Sequence, residues 1–212
     1  EVDSFRAEVI LADTKRPFSD RFLDVEQIYK GWIDYLEEYA LECVTRKSGE
    51  DVDALLSQML HQLVDLYSEN GREASALPLA EKLLNVDRRL SATAIDSEKY
   101  DGRVAMTLNS LALLHSDNNK HEEAKTEYKE ALEIYRDLAK TNPDAYRPYV
   151  AMTLNNLASL HYKTNRHKEA EAEYGVALDI YRDLAKPNPA AYLPAVAMTL
   201  NNLAILHIDN NR

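Results

Sequence analysis

Three histidines, His115, His161 and His207, stand 46 residues apart, and metal ligation or proton transfer is the first chemistry such a series raises. The even spacing argues against both. Ligands must converge in space, whereas the same slot in successive copies of a repeated unit lies roughly one helix pair from the next. A structural role is expected for all three, with His121 and His167 solvated or capping beside short turns. Glu122, Glu123, Glu127 and Glu130 are interleaved with Lys120, Lys125 and Lys129, the pattern of a solvated, self-paired helix face. Cys43 is the single cysteine, which excludes an intrachain disulfide and reads as a small buried hydrophobe. No phosphate-cradling glycine loop, zinc-protease string or nucleophile elbow occurs. Catalytic, cofactor-binding and metal sites are therefore not expected, and neither is an enzyme.

The elements that position these residues come from an internal repeat. The string AMTLN occurs at residues 105–109, 151–155 and 197–201, a period of 46. Residues 100–145 align on 146–191 without a gap at 29 of 46 positions, and 192–212 match 146–166 at 15 of 21, half a unit. A more divergent copy precedes them: Leu60, Leu63, Tyr67 and Ala76 fall at the spacing of Leu108, Leu111, His115 and Ala124. Two extra residues between Leu90 and Tyr100 belong in a loop. Within a unit, Val150, Leu154, Leu157, Ala158 and His161 recur at helical spacing, and so do Ala170, Tyr174, Ala177, Leu178, Tyr181 and Leu184, giving two amphipathic helices. Residues 163–166 break them apart. Residues 187–194 separate units, with Pro148 and Pro194 in the first turn of the following helix. Ala124, Ala158, Ala170 and Ala177 sit where helices must cross closely.

Leu154, Leu157, Ala158, His161, Ala170 and Tyr174 stand at the spacing of the tetratricopeptide signature, and the chain resembles that family over about residues 51–212. Leu replaces the signature Trp, Ala the Gly, His the Tyr and Tyr the Phe. The unit exceeds the family's roughly 34 residues, and the TLNNLA string at 153–158 is similar to the long-helix repeats of kinesin light chains. The resemblance implies an all-α, right-handed superhelical solenoid of antiparallel helix pairs. Its units span about 51–99, 100–145, 146–191 and the half unit 192–212, behind an N-terminal cap or upstream remnant at 1–50.

In that family the first helix of each pair lines the concave groove. The corresponding face carries Met106, Asn109, Leu113 and Asp117, then Met152, Asn155, Ser159 and Lys163, then Met198, Asn201, Ile205 and Asp209, with His61 and Asp65 extending it backwards. A primary amide both donates and accepts, so the Asn109, Asn155, Asn201 row could hold the backbone of a peptide. The resemblance to kinesin light chains implies the same use. Alternatively these asparagines, with Asn156 and Asn202, bond sideways within the stack. Tyr162 and Lys163 differ from Ser116, Asp117 and Ile208, Asp209, so specificity could sit there. A scaffold for a protein or peptide partner is expected. The rival readings are a sensor arm of a larger protein and a structural module that self-associates through the apolar face of residues 192–212.

Composition bounds the rest. The 212 residues are 45% hydrophobic with only 5 glycines, a helix-favouring mixture. Lys and Arg total 25 against 36 Asp and Glu, a net charge of -11, which leaves little basic surface for nucleic acid. No apolar run is read as long enough to insert in a membrane. The compartment stays open: a cytoplasmic one is favoured, and an exported one would need a leader ahead of Glu1. Residues 18–44 read as one long helix with Phe22, Val25, Ile28, Trp32, Leu36, Tyr39 and Cys43 on its apolar stripe, and 47–51 as the turn after it.

Overall fold

A computed structural model describes residues 18–43, 49–94 and 97–210 of the chain. Every element within them is an α-helix: α1 (Phe18–Cys43), α2 (Gly49–Glu69), α3 (Glu73–Thr93), α4 (Ser97–Asp117), α5 (His121–Thr141), α6 (Pro143–Lys163), α7 (His167–Ala185) and α8 (Pro189–Asn210). The chain forms two compact units, Glu1–Tyr100 and Asp101–Arg212, with α4 beginning in the first and continuing into the second.

In the first unit α1 packs on α2 and α2 on α3. Where α2 packs on α3, Leu56, Leu60, Leu63 and Tyr67 of α2 and Ala76, Ala80, Leu83 and Leu90 of α3 are all buried. The helix expected over 18–44 is present to Cys43, but its buried stripe is Phe22, Val25, Tyr29, Ile33 and Leu36. Ile28 and Trp32 lie half-buried beside it, and the Tyr39 and Cys43 side chains, like Val44, fall outside the described residues. Both stripes satisfy the 3.6-residue period; the helix turns so that Phe22 reaches the Tyr67 ring, 5.9 Å away. The expected turn at 47–51 shifts too. Gly49 already opens α2, and residues 47 and 48 lie outside the described set.

At the edge of this unit Glu26 accepts from the Tyr67 hydroxyl at 2.6 Å and from Arg72 at 3.1 Å, and also pairs with Lys30. Burial pushes the Glu26 carboxyl up. The bonds from Lys30 and Tyr67 and the Arg72 charge outweigh it and hold the group below the usual carboxylate range. The Arg72 guanidinium also lies 4.6 Å from the Phe22 ring centre.

In the second unit each helix from α5 onward packs on the next along the chain, and α6 also touches α8. Ala112, Ala124, Ala131, Ala158, Ala170 and Ala177 are all fully buried, so backbones approach where side chains are smallest. Around them Ala112, Ala124, Tyr128, Leu157 and Leu160 form one cluster, and Ala158, Ala170, Tyr174 and Leu206 the next, walled by Tyr162 and Leu203. Leu157 and Leu160 thus face the preceding pair, and Ala158 its own partner helix.

The turns inside the pairs repeat as faithfully as the helices. Gly71, Asn119 and Asn165 occupy equivalent positions with φ of 65°, 60° and 59°. There the next residue's amide reaches back five positions: Arg72 to Tyr67, Lys120 to His115 and Arg166 to His161, at 2.9, 2.8 and 2.8 Å. Left-handed residues that close helix C-termini this way are glycine or asparagine by preference. Between pairs the break is shorter than the prolines suggested. Asn142 caps α6 by accepting from the Ala145 amide at 3.3 Å, and Pro143 takes the first helical position. Asn188 does the same for Ala191 at 3.3 Å. Pro148 and Pro194 therefore stand inside α6 and α8, a turn later than expected. Gly102 earns its place here, because a Cβ would lie 3.3 Å from the Tyr146 ring.

One further expectation changes. α8 spans 22 residues with a mean hydropathy of 1.3 over its most apolar window, long and apolar enough to cross a membrane by length and composition. Its apolar character is that of the repeat: α6 carries the same AMTLNNLA string, largely buried among its neighbours.

Candidate functional site

The faces of α4, α6 and α8 present matching slots at i, i+3, i+7 and i+11, one stripe of a helix. Met106 and Met152 are half-buried, while Leu113, Met198 and Ile205 are 48%, 49% and 42% exposed. Such large apolar side chains stay in solvent while the same helices bury Leu108, Leu154 and Leu206. The exposed part of the stripe in the second unit is therefore Leu113, Met198, Asn201 and Ile205, all uncharged, with charges at its last slot, Asp117, Lys163 and Asp209. His61 and Asp65 lie on α2 in the first unit, 3.4 Å apart one helical turn from each other.

The asparagines divide. Asn109 and Asn155 are buried, at 9% and 5% exposure, and their side-chain oxygens accept across the stack. Asn156 donates to Asn109 at 3.3 Å; Thr199 and Asn202 approach Asn155 at 3.2 and 3.5 Å. Asn201 occupies the same slot on α8 and is exposed. Sideways bonding thus occupies two oxygens of the row. Thr199, whose hydroxyl also lies 2.9 Å from the Ala195 carbonyl, was the member that sequence reasoning missed; Thr107, Thr153 and Thr199 recur at 46 residues and are all buried.

The varied residues at the end of the stripe also act between units. Lys163 reaches Ser116 and Asp117, both at 3.3 Å, and Tyr162 donates to Asp209 of α8. That bond, more than burial, raises the Tyr162 hydroxyl above its ordinary value. His167 bonds Asn210. Ser159 turns inward: its hydroxyl donates to the Asn155 carbonyl at 3.1 Å and meets the Tyr174 hydroxyl at 2.8 Å.

Two of the three spaced histidines are tied into the stack. His115 Nδ1 lies 2.9 Å from both Glu127 oxygens, and His161 Nδ1 lies 2.7 Å from Glu173, each carboxylate coming from the second helix of the same pair. Glu127 is therefore not part of a solvated face. The repeated 12-residue His-to-Glu spacing was the signal available for this. Burial raises the Glu173 carboxyl against the opposing pull of His161. His207 is exposed and meets Glu171 at 3.1 Å instead. Among the described residues no three His, Cys, Asp or Glu side chains are grouped so as to hold a metal ion.

Paired helices closed by left-handed turns, repeating every 46 residues with alanines at the crossings, define a helical repeat protein. Residues 103–183 match the tetratricopeptide repeat family model. Comparison with curated proteins gives no match. Among solved structures, BtubC (BKLC) from P. vanneervenii is similar at 22% identity and a TM-score of 0.62, covering 99% of this chain and 82% of that one. A kinesin light chain-type protein from Podosopora anserina with nearly identical TPR-like repeats has 16% identity and a TM-score of 0.61, covering 99% and 87%. The apo form of RapI has 14% identity and a TM-score of 0.58, covering 95% of this chain and 57% of its own. At these identities the likeness is one of fold.

Proposed function

We propose that this protein is an interaction scaffold whose second unit holds a segment of a partner protein along the outward stripe of α4, α6 and α8. The observation that carries the reading is the exposure of Leu113 and Ile205, large apolar side chains at the same slot of α4 and α8, with Met198 beside Ile205 on α8. The stripe is uncharged over its first three slots, so it suits a neutral, apolar segment whose backbone can bond to the amides, Asn201 above all. The matching tetratricopeptide family supports a protein partner in general.

The test is selection of binding peptides from a displayed library, followed by titration against Leu113→Glu, Ile205→Glu and Asn201→Ala. All three positions are exposed, so the variants leave the fold intact. Neutral, apolar peptides that lose about tenfold or more in affinity to either glutamate variant are expected. Peptides that bind all three variants as tightly as the parent would place the partner elsewhere.

A further inference from the structure

On the side of α6 turned away from the partner stripe, α5 and α7 both pack on α6. Between them runs a groove of about 430 Å³, floored by Leu154 and Leu157. Leu154 follows Met152 by two residues, about 200° around the helix, so groove and stripe occupy different sides of α6. The floor and both walls belong to helices present in the chain, so this is not a face left bare for a next repeat.

The two walls differ. On α5, Lys129, Glu133 and Arg136 stand at i, i+4 and i+7, one exposed stripe of alternating charge. Among the described residues neither Lys129 nor Arg136 stands in an ion pair, whereas Lys125 and Lys140 of the same helix pair with Glu122 and Asp137. On α7 the wall is apolar: Ala172 and Val176 are exposed one turn apart, Val176 at 48%. The preceding copy carries Thr126 and Glu130 at these slots, while its inward residues Ala124, Tyr128 and Ala131 recur unchanged as Ala170, Tyr174 and Ala177. The α7 copy therefore has apolar residues in place of polar ones where its surface lines the groove, the mark of a face that something covers. Glu173, the carboxylate on this wall, is already held by His161 at 2.7 Å.

We propose that the groove takes one helix of a partner protein, with acidic residues seven positions apart, a basic residue between them and small apolar residues along the adjoining flank. Lys129 and Arg136 are about 10.5 Å apart along the α5 axis. A helix lying along α5 rises by that distance in seven residues, which brings two carboxylates of one face opposite the two cations and the basic residue opposite Glu133. An extended segment covers it in about three residues, whose first and last side chains point to opposite faces. The apolar flank then covers Ala172 and Val176 and reaches the leucine floor, the helix-in-groove mode of recognition.

The probe is a displayed library of single helical peptides, randomised over one half of the helix surface and selected on the whole chain carrying Leu113→Glu and Ile205→Glu. Those changes disable the partner stripe, so the two readings fail separately. Selected peptides with Asp or Glu seven residues apart are expected, binding one-to-one in fluorescence anisotropy and weakened at least about tenfold by Arg136→Glu and by Val176→Glu. Exchanging one of the two peptide acids for lysine should restore binding to Arg136→Glu, a rescue that a merely distorted groove would not show. Both positions are exposed, and Glu130 fills the Val176 slot on α5, so melting curves of the variants should overlay the parent. Peptides indifferent to both variants, or a library that yields no binder, overturn the proposal. So does a concentration-dependent dimer, lost in Val176→Glu, that excludes the peptides in sedimentation, since a second copy of the chain is then the occupant.

Discussion

Ala170→Leu is the sharpest test of the packing. Ala170 is fully buried between Ala158, Tyr174 and Leu206, with Tyr162 and Leu203 as the outer wall. Leucine adds three carbons, whose transfer from water would favour folding by about 2 kcal/mol if room existed for them. The site has no such room, because the helices already meet through side chains of one carbon. The added volume must push α6, α7 and α8 apart or force strained rotamers, and the net effect expected is a loss of about 1–3 kcal/mol. For a chain of this length a loss of about 2 kcal/mol lowers the melting temperature by about 4–8 °C. Far-ultraviolet circular dichroism during heating measures it. Ala172→Leu is the control, two residues along the same helix and exposed, where a change within about 0.5 kcal/mol is expected. Equal melting temperatures for the two variants, or a rise for Ala170→Leu, would refute the close-crossing argument.

Asn155→Ala removes the acceptor that faces Thr199 and Asn202 and is expected to cost about 1–2 kcal/mol in urea unfolding, whereas Asn201→Ala should stay within about 0.5 kcal/mol. Replacing Asn165, at φ 59°, by Val should cost about 1–2 kcal/mol, while Asn165→Gly should be neutral or stabilising in the same assay. The Glu26 carboxyl is depressed in the folded chain, so its contribution to stability is present above the unfolded glutamate value of about 4.3 and is lost as pH falls through the lower native value. Glu26→Gln should therefore flatten the acid limb of the stability curve. Glu173, raised by burial, has the opposite sign: its stabilising share grows as pH falls through its native value, and Glu173→Gln should steepen the same limb.

The repeat, the paired helices and the buried slots were legible because near-identical strings at a fixed period leave few ways to fold. Val150, Leu154, Ala158 and Tyr174 are buried as their spacing requires. Period alone does not say which of two adjoining stripes faces inward, and α1 shows it: Ile28 and Trp32 fit the helical period as well as Tyr29 and Ile33 do, and contact with α2 makes the choice. The asparagines show a second limit. A shared slot says that Asn109, Asn155 and Asn201 are equivalent in sequence, but their surroundings differ, because Asn155 has Thr199 and Asn202 beside it. The prolines misled by one turn, since the capping side chains of Asn142 and Asn188 start the helices before Pro148 and Pro194.

The pattern of contacts within the second unit carries a consequence for how the chain is made. From α5 onward each helix packs on the one just after it, and the links that reach furthest, such as Asn156 to Asn109 and Tyr162 to Asp209, span 47 residues. A topology this local closes only short loops, so ordering α5 against α6 does not wait for α8 to exist. During synthesis the pair can settle while later residues are still inside the ribosome, and each new helix finds a finished surface to join.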